Sequence, residues 1–399
     1  RSILESDAGA TLRCSREGIG ACYLPPVAKI AIDARKWRDY GIGTYVRNIV
    51  RALAQIDHEN TYFLFCHHED AAVLKDLSGN FEPVVDESPG YSIREHWSLP
   101  RQVRRLGIDL YHEPHYVLPL LLGTRSVVTV HDCIHLRFPE YLPHPSAINY
   151  ARFMKGSAIR RARVVFTVSE ASKRDILHFF PRTDPAKIEV VSNAIDADLL
   201  EPPDAEEIER VKERYQIAQR FILYAGNIKP HKNLPRLIEA FARLRAMPGH
   251  EDVQLMIIGD EIGKTPELRR RVESFRLRPF VRFFGFVPES TLAALYRLAT
   301  VFAFPSQFEG FGLPPLEAMA CGTPVVTSNV SSLPEVVGDA AVLVDPHDGE
   351  AIAEGLCRVL DNPAFANELR EKGRIQARKF NWQESARKTL AGYRRALES

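Results

Sequence analysis

The sequence predicts an α/β protein of two domains, each built on a parallel sheet. The chain has 399 residues, which is too many for one ordinary hydrophobic core, so two domains are expected. From residue 27 onward, short apolar runs alternate with amphipathic segments, as in repeated β-α units. Parallel sheets of this kind bind ligands at the carboxyl ends of their strands. We therefore look for functional residues directly after each predicted strand.

The first domain is predicted to span residues 27–200. It begins with a strand in "VAKIAIDA" and a helix in "GIGTYVRNIVRALAQI", whose apolar residues recur at helical spacing. Further strands are predicted, in order, at "TYFLFC", "DLYHE", "SVVTVHD" and "RVVFTVS", and the segment "KIEVVSNAID" then begins to break the pattern. The Pro-Pro and acidic stretch "LLEPPDAEE" then interrupts the alternation. Residues 1–26 show no periodicity, and we expect them to be a disordered leader or an appended tail.

The second domain is predicted to span residues 201–380 and repeats the alternation more regularly. Its strands are predicted at "FILYAG", "VQLMIIG", "VRFFGF", "VFAFPS", "PVVTS" and "AVLVD", with helices between them. Such β-rich runs separated by amphipathic helices indicate a doubly wound parallel sheet. Residues 348–398 form a helical tail, whose last part, 381–399, we expect to pack back toward the first domain.

Composition excludes several classes of protein. The 52 basic and 51 acidic residues leave a net charge of +1, so no nucleic-acid partner is expected. The six cysteines lack CxxC spacing, which favours reduced thiols over disulfides or a zinc site. No apolar run approaches the roughly 18 residues of a spanning helix, and the N-terminus lacks the order of a signal peptide. We expect a cytoplasmic protein, or one at the inner face of the membrane.

Two motifs of the first domain are candidates for ligand contact. Gly41 and Gly43 lie between a predicted strand and helix, where backbone N–H groups can approach an anionic or sugar ligand. A tight turn without a ligand is the alternative. His131 ends the strand of "VVTVHD", and a polar contact in the cleft is favoured there over a metal site. "CHHED" and "YHEPHY" also lack metal-ligand geometry, because Pro114 prevents the helix that HExxH requires.

The segment "AGNIKPHKNL" places cations next to a helix start. Lys229, His231 and Lys232 follow a strand and precede an amphipathic helix. Cations are unfavourable at a helix N-terminus because the helix dipole attracts anions there. An anion is therefore expected between them, and phosphate is the natural candidate. A solvated surface lysine is the alternative for each residue taken alone.

The segment "FEGFGLPPLEAMACGTPVV" places two carboxylates around a turn. Glu309 precedes Gly310-Phe311-Gly312, whose backbone N–H groups are exposed, and Glu317 follows in a helix that begins near Pro314. The two acids thus belong to different elements, on either side of a nest of N–H groups of diphosphate size. Compensation of the helix dipole is the alternative explanation for Glu317, but it does not explain Glu309.

The motifs together resemble a known family. "PSQFEGFGLPPLEAMACGTPVV" resembles the E-x7-E signature of the retaining, nucleotide-sugar-dependent glycosyltransferases of the GT-B fold, the group numbered family 4. "GIGTYVRNIV", "VVTVHDCIHLRFPEYL", "TVSEASKRDI", "VVSNAID" and "GNIKPHKNL" occur in the order of that family. The resemblance covers residues 28–398 and is strongest to bacterial mannosyltransferases of polysaccharide or glycolipid synthesis. It implies two Rossmann-like domains whose sheets face each other across a cleft, with C-terminal helices crossing back.

The resemblance also implies a role for each matching residue. Glu309 would contact the donor sugar, Glu317 the ribose, and Lys232 the diphosphate, while His131 would contact the sugar near its 6-hydroxyl. Gly41 and Gly43 would let the first domain close over the phosphates, and base selection would rest near Phe286 and Val287. The donor phosphates and sugar would be bound by the remaining candidates: Asn227, Lys229, Gly310, Phe311, Gly312 and Leu313.

One departure from the family concerns the second diphosphate cation. Many relatives have an arginine near this strand end, where this chain has Asn227 and His231, and Lys229 is the candidate substitute. No divalent metal and no cofactor is required in principle, because Lys232 and a helix N-terminus can stabilise the leaving diphosphate. Two basic stretches, "YSIREHWSLPRQVRRLG" and "ARFMKGSAIRRARVV", are candidates for contact with a membrane that carries a lipid-linked acceptor; a solvated helix face is the alternative.

The resulting prediction is a retaining hexosyltransferase that takes mannose from GDP-mannose to a glycan or lipid-linked acceptor. A UDP-sugar-dependent glucosyl- or N-acetylglucosaminyltransferase is the alternative within the class. Alternatives of another class are a GT-B epimerase or phosphorylase, and a non-catalytic protein that binds sugar nucleotides.

Overall fold

The computed structural model describes residues 27–39, 41–77, 79–142, 144–201, 204–217, 220–259 and 265–398. The segment 1–26, expected to be a leader or tail, lies outside the described residues. Within them, apolar runs form strands and amphipathic runs form helices in strict alternation. Two hydrogen-bonded sheets result, one of seven and one of six strands, and every strand pair in both is parallel. The predicted α/β fold class is confirmed.

The first sheet has the strand order β3-β2-β1-β4-β5-β6-β7. Its core is aliphatic and aromatic on both faces, as expected for a sheet covered by helices on both sides. The elements of this part are β1 Lys29–Asp33, α1 Ile42–Ile56, β2 Thr61–Cys66, α2 Ala71–Lys75, β3 Phe81–Val85, α3 Glu95–Leu106, β4 Leu110–Glu113, β5 Arg125–Val130, α4 Ile134–Arg137, α5 Pro145–Arg161, β6 Val164–Thr167, α6 Glu170–Phe179 and β7 Ile188–Val190.

The second sheet has the order β10-β9-β8-β11-β12-β13. One continuous core holds it against its helices. The elements are α7 Ala197–Leu200, α8 Ala205–Arg214, β8 Phe221–Ala225, α9 Leu234–Arg245, β9 Gln254–Ile258, α10 Pro266–Ser274, β10 Val281–Phe284, α11 Glu289–Leu298, β11 Val301–Phe304, α12 Leu313–Ala320, β12 Val325–Ser328, α13 Leu333–Val337, β13 Ala341–Val344, α14 Gly349–Leu360, α15 Pro363–Ala377 and α16 Trp382–Glu398.

The last helix, α16, belongs to the first sheet in space. It packs against α1 and against β4, β5 and β6. Tyr393 is fully buried there and its hydroxyl lies 2.7 Å from Nδ1 of His112. Trp382 contacts Tyr45 of α1 edge to face. The chain thus returns from the second sheet to complete the core of the first.

Two strands, β7 and β3, were not predicted from the sequence, and the reason is clearest for β3. Its segment "FEPVV" contains Pro83, which lacks an N–H and usually argues against a strand. In the structure β3 pairs only with β2 and forms the edge of the sheet, where the missing donor of Pro83 is tolerated. The helix α12 begins at Leu313, one residue before the predicted start. Glu317 is therefore its fifth residue and lies past the first turn, which weakens the dipole explanation for this acid.

Candidate functional site

Each sheet has one point at which its strand order reverses. In the second sheet the chain runs outward from β8 to β9 and β10, and then returns to β11 on the other side. The loops that follow β8 and β11 therefore diverge to opposite faces and leave a crevice between the carboxyl ends of these strands. The loop after β8 holds Lys232, and the loop after β11 holds Glu309.

An ion pair crosses this crevice. Nζ of Lys232 donates a hydrogen bond to Oε1 of Glu309 at 2.7 Å, and the two side chains are only 10% and 12% exposed. The ammonium also lies 5.0 Å from the ring centroid of Phe304 at the end of β11. A buried lysine and a buried glutamate next to helix N-termini form a site for a ligand that has both an anionic and a hydroxyl-rich part.

Backbone and side-chain hydrogen bonds hold the two loops together. Asn233, in a left-handed conformation, donates from Nδ2 to the carbonyls of Pro305 and Pro346. Ser306 Oγ and the N–H of Gln307 both donate to the carbonyl of His231. The position of Lys232 relative to Glu309 is therefore fixed by the backbone around them, as a preorganised site requires.

The loop that carries Glu309 is hydrogen-bonded to Ser331 and Ser332, which directly precede α13. The Glu309 N–H donates to Ser331 Oγ at 3.0 Å, and the Glu309 carbonyl accepts hydrogen bonds from the hydroxyls of Ser331 and Ser332. Ser332 Oγ also lies 2.6 Å from the carbonyl of Phe311. Neither serine was singled out from the sequence, because the hydroxyls bond to backbone atoms some twenty residues away and leave no local pattern.

The glycine turn lies against the first sheet. A Cβ at Gly310 would stand 2.6 Å from the carbonyl oxygen of His131, so no larger residue fits without movement. The Gly310 carbonyl accepts hydrogen bonds from Ser169 Oγ at 2.6 Å and Ser172 Oγ at 3.0 Å, at the start of α6. The carboxyl edges of the two sheets thus meet at this turn.

The turn continues into α12. Gly312 is its N-cap, with φ of 114°, a conformation that favours glycine, and Leu313 is its first residue. The turn therefore brings the start of α12 toward the crevice, while the Phe311 side chain is 5% exposed and packs into the core. The placement of Phe311 and Leu313 beside a ligand stays a prediction.

His131 lies on the first-sheet side of this contact. Its Nε2 donates to the carbonyl of Pro114 at 2.9 Å, so Nδ1 is the nitrogen left for a ligand. Burial lowers the pKa of His131 below its ordinary value, which keeps the imidazole neutral. Tyr45 packs edge to face against the ring at 4.9 Å between centroids. The free Nδ1 can accept a hydrogen bond from a sugar hydroxyl.

Glu317 lies at the other end of the crevice. Its Oε2 accepts a hydrogen bond from the Tyr296 hydroxyl at 3.0 Å. Burial raises the pKa of Glu317 to about 7, and the charges of Glu289 and Asp196 add to the effect. The carboxyl is thus poised between its two protonation states near neutral pH. Tyr296 was not singled out from the sequence, because it is one apolar position of α11 among several.

Phe286 and Val287 follow β10 and precede α11, at the same edge of the sheet. Phe286 is 68% exposed, whereas Val287 is 7% exposed and packs into the core. A nucleotide base could therefore contact the backbone of this loop but not the buried Val287 side chain.

The three candidates for the second diphosphate cation, which all follow β8, differ in charge. Burial lowers the pKa of His231 to about 4, so its imidazole is neutral at physiological pH. A neutral imidazole is a weaker candidate for the second diphosphate cation than a lysine. Lys229 and Asn227 are both exposed at the crevice rim, and the Asn227 carbonyl accepts a hydrogen bond from Tyr224. Of the two remaining candidates only Lys229 carries a charge.

The two glycines before α1 differ in what they do. Gly41 is the N-cap of α1 with φ of 69°, and the space beside its Cα is open. At Gly43 a Cβ would meet the carbonyls of Trp37 and Lys36 at 2.6 and 2.7 Å, and its N–H bonds to Asp39. Close packing of the preceding loop thus explains Gly43, whereas Gly41 remains free to approach a ligand.

The first sheet has its own reversal point, between β1 and β4, which the sequence analysis missed. There Arg35 pairs with Asp33 at 2.6 Å and also lies within 3.4 Å of Glu95. Tyr111 donates to Asp33 at 3.1 Å, and Glu113 lies beside them, 5% exposed. These polar residues are spread over 80 residues of sequence in otherwise apolar runs, and only the fold brings them together.

Part of the basic sequence proposed to meet a membrane is internal. Lys155 is 1% exposed and donates from Nζ to the carbonyl of Asp132. Arg161 donates to the carbonyls of Pro119 and Leu122. Lys155 is therefore unavailable to a membrane, and the guanidinium of the partly buried Arg161 is directed to backbone carbonyls, which corrects the sequence-based expectation for these two residues.

Comparisons with known proteins agree with this geometry. The model "Glycosyltransferase Family 4" matches residues 40–199, and the model "Glycosyl transferases group 1" matches residues 205–379. The O-antigen chain mannosyltransferase B of Escherichia coli is 35% identical over 303 residues, which cover 75% of this chain and 77% of that protein. The serotype-specific mannosyltransferase WbdA of Escherichia coli is 34% identical over 282 residues, 69% of this chain. The match spans 34%, about a third, of WbdA.

Solved structures show the same fold. The crystal structure of Anabaena Alr3699/HepE in complex with UDP and glucose superposes with a TM-score of 0.73 at 19% identity, covering 92% of this chain and 99% of that one. The GT-B arrangement that the sequence resemblance implied is confirmed.

Proposed function

The chain belongs to the family 4 glycosyltransferases, and we propose that it transfers mannose from GDP-mannose to a glycan or lipid-linked acceptor with retention of configuration. The observation that carries the proposal is the Lys232–Glu309 pair at the reversal point of the second sheet, beside the starts of α9 and α12. The two Escherichia coli relatives are both named as mannosyltransferases, which favours mannose over glucose or N-acetylglucosamine.

In the proposed complex the donor lies along the crevice from His131 to Glu317. The sugar hydroxyls bond to Glu309 and to Nδ1 of His131. The diphosphate lies beside Lys232, with Lys229 as the second cation and the Gly310–Gly312 turn as a source of N–H donors. The ribose hydroxyls bond to Glu317, and the base contacts the loop of Phe286.

The proposed chemistry is a single displacement on one face of the sugar. The bond between the anomeric carbon and the diphosphate oxygen breaks, and the acceptor hydroxyl oxygen bonds to the same carbon from the same side. The acceptor proton passes to the leaving phosphate oxygen, and the nucleoside diphosphate departs. Lys232 and the backbone N–H groups stabilise the charge that grows on the leaving group. We propose that no divalent metal takes part, so excess EDTA should leave turnover unchanged.

A thermal-shift panel of GDP, UDP and ADP tests the donor. A nucleotide at 100 times its dissociation constant stabilises its target by about 2.7 kcal/mol, enough for a clear change in midpoint. GDP is expected to raise the midpoint most. A larger shift with UDP would replace mannose by the UDP-sugar alternative, and no shift with any nucleotide would contradict the proposal. Free sugar formed without acceptor, or dependence on inorganic phosphate, would favour an epimerase or phosphorylase.

We also propose that the first domain contacts an anionic membrane surface. No helix within the described ranges has the length and apolarity needed to cross a bilayer. However, three large apolar side chains of this domain are exposed. Ile93, which precedes α3, is 80% exposed, Trp97 in the first turn of α3 is 67% exposed, and Phe153 on α5 is 59% exposed. The neighbouring arginines of α3 are exposed as well: Arg94, Arg101, Arg104 and Arg105. Exposed aromatic residues beside arginines are typical of interfacial contact.

Vesicle sedimentation tests this surface. The full chain is expected to bind vesicles that contain anionic lipid more strongly than neutral ones, and Trp97→Ser should reduce the bound fraction. Phe275→Ser provides a matched control, because Phe275 is also exposed, at 40%, but lies after α10 in the second domain. Equal binding of both variants would refute the proposed surface.

A further inference from the structure

A group of three potential metal ligands lies outside the donor crevice. His250 is in the loop between α9 and β9, and Cys357 and Asp361 are in and after the last turn of α14. One ring nitrogen, the thiol sulfur and one carboxylate oxygen of these residues all lie within 4.8 Å of one another. This group could not be predicted from the sequence, because His250 is far from the other two residues along the chain.

The position of the group follows from the fold. In β-α units the helices run antiparallel to the strands, so the end of α14 and the start of β9 lie at the same edge of the second sheet. This is the edge opposite the carboxyl ends, where the donor crevice lies. Cys357 and Asp361 are four residues apart and therefore share one face of the helix.

His250 is the observation that points to a ligand. Its side chain is buried, at 1% exposure for the residue, and neither ring nitrogen makes a directional hydrogen bond within the described residues. Nε2 nevertheless lies 3.0 Å from Oδ1 of Asp361. Burying an imidazole whose ring nitrogens lack hydrogen-bond partners costs free energy, unless a ligand binds those nitrogens.

The other two residues complete the donor set. The Cys357 thiol lies 2.9 Å from Oδ2 of Asp361, so the carboxylate stands between the imidazole and the sulfur. Cys357 is partly exposed and the Asp361 side chain is 54% exposed, which leaves a path for an ion and room for a water ligand. One nitrogen, one sulfur and one oxygen ligand are typical of Zn²⁺, whereas Mg²⁺ and Ca²⁺ prefer oxygen ligands only.

We propose that His250, Cys357 and Asp361 bind a zinc ion that ties the loop before β9 to the end of α14. The ion would take the proton's place on the thiol and accept a lone pair from the imidazole and the carboxylate, with water as the fourth ligand. The helices α9 and α14 already pack against each other, so the ion would fasten a contact that exists. The site departs from the sequence-based expectation of no structural metal, and it is independent of the proposed transferase chemistry.

Cobalt substitution tests the site in the full chain. Metal-free protein titrated with Co²⁺ is expected to bind one equivalent with a thiolate-to-cobalt charge-transfer band, and Zn²⁺ should displace it. Cys357→Ser should abolish the band, and Asp361→Asn should weaken binding by about tenfold or more. Asp361 is at the surface, so this variant is expected to fold even where a change at buried His250 is not tolerated.

Matched controls separate this site from other thiols and histidines. Cys66→Ser and His347→Gln, which lie outside the group, should keep both the band and the affinity. Zn²⁺ should also raise the unfolding midpoint of the wild type and not that of Cys357→Ser. The proposal fails if the band persists in Cys357→Ser, if it is lost in folded Cys66→Ser, or if the wild type binds no Co²⁺.

Discussion

The two reversal points of the molecule carry the same kind of ion pair in different surroundings. In the first sheet, Arg35 and Asp33 are 9% and 5% exposed; in the second, Lys232 and Glu309 are 10% and 12% exposed. Both pairs lie at the carboxyl ends of parallel strands, where ligands bind in such folds. Position and charge alone therefore do not distinguish them.

The difference lies in the number of partners. The Arg35 guanidinium donates from Nε to both Asp33 oxygens and from Nη2 to Oδ2, and it also donates to the Ser88 carbonyl and approaches Glu95. Burial alone would raise the pKa of Asp33, but the Arg35 guanidinium holds it below its ordinary value. Within the described residues, by contrast, the Lys232 ammonium contacts one carboxylate and the face of one aromatic ring.

This difference indicates different roles. An arginine whose donors are all directed to the protein's own groups fixes a conformation, whereas a lysine with three donors and a single carboxylate can add a ligand without losing its partner. Glu113 lies beside this pair, and burial, together with the charge of Asp33, raises the pKa of Glu113 well above its ordinary value. The four predictions that follow test this contrast.

The largest expected effect is on stability, from Arg35→Met. Removing the arginine leaves Asp33 as an unpaired buried charge, and we expect the free energy of unfolding to fall by about 3 to 5 kcal/mol. Urea denaturation measures the loss. Lys212→Met is the control, because Lys212 also pairs with a glutamate at 2.7 Å but is exposed, so it should cost less than about 1 kcal/mol. Similar losses in the two variants would remove the basis of the contrast.

The next effect is on turnover, from Glu309→Gln. The amide keeps the shape of the side chain but not its charge, and we expect kcat to fall by about 10² to 10³, while the dissociation constant of GDP changes little. Steady-state kinetics and calorimetry measure the two quantities. Glu317→Ala should show the reverse, with weaker GDP binding as its main effect. If both variants lose turnover and affinity to the same extent, the proposed division between sugar and ribose is wrong.

The third effect is a pH dependence of donor binding. The pKa of Glu317 is raised to about 7 in the folded protein, and only the ionised carboxylate accepts hydrogen bonds from both ribose hydroxyls. Protonation below pH 7 therefore opposes binding, and the affinity should fall about tenfold between pH 8 and pH 6. GDP-mannose is the right probe, because its diphosphate does not titrate in this range. Glu317→Gln should bind weakly with a flat pH profile; an unchanged slope would assign the titration to another group.

The smallest effect is expected where the two lobes touch. Glu335, at the start of α13, accepts hydrogen bonds from the N–H groups of Glu170 and Ala171 at 2.9 and 3.2 Å. Its carboxylate thus lies at the N-terminus of α6, a contact typically worth about 0.3 to 1 kcal/mol. We expect Glu335→Gln to lower the free energy of unfolding by less than 1 kcal/mol and to change kcat/KM by less than about fivefold. A loss as large as that of Glu309→Gln would place the lobe contact in the catalytic step.

Much of the fold and part of the site follow from the sequence, for local reasons. The strands of both sheets other than β3 and β7 were predicted because buried parallel strands are continuous apolar runs. The strand β3 was missed because Pro83 suits only an edge, and β7 was missed because its three residues lie in a segment interpreted as the break between the domains. Lys232, Glu309 and Glu317 were predicted because they stand next to glycines, prolines and helix starts that have a local meaning. The roles assigned to them remain predictions, as do those of His131 and Gly41.

The tertiary structure alone decided which residues far apart in the chain contact each other. The neutral state of His231, the pKa of Glu317 and the internal position of Lys155 all depend on burial, which no local pattern reports. The Arg35 network and the group of His250, Cys357 and Asp361 assemble from segments that share no motif. The sequence by itself determined the elements and the loops that carry the proposed chemistry, because those depend on neighbours in the chain; the charge state and partners of each side chain depend on neighbours in space.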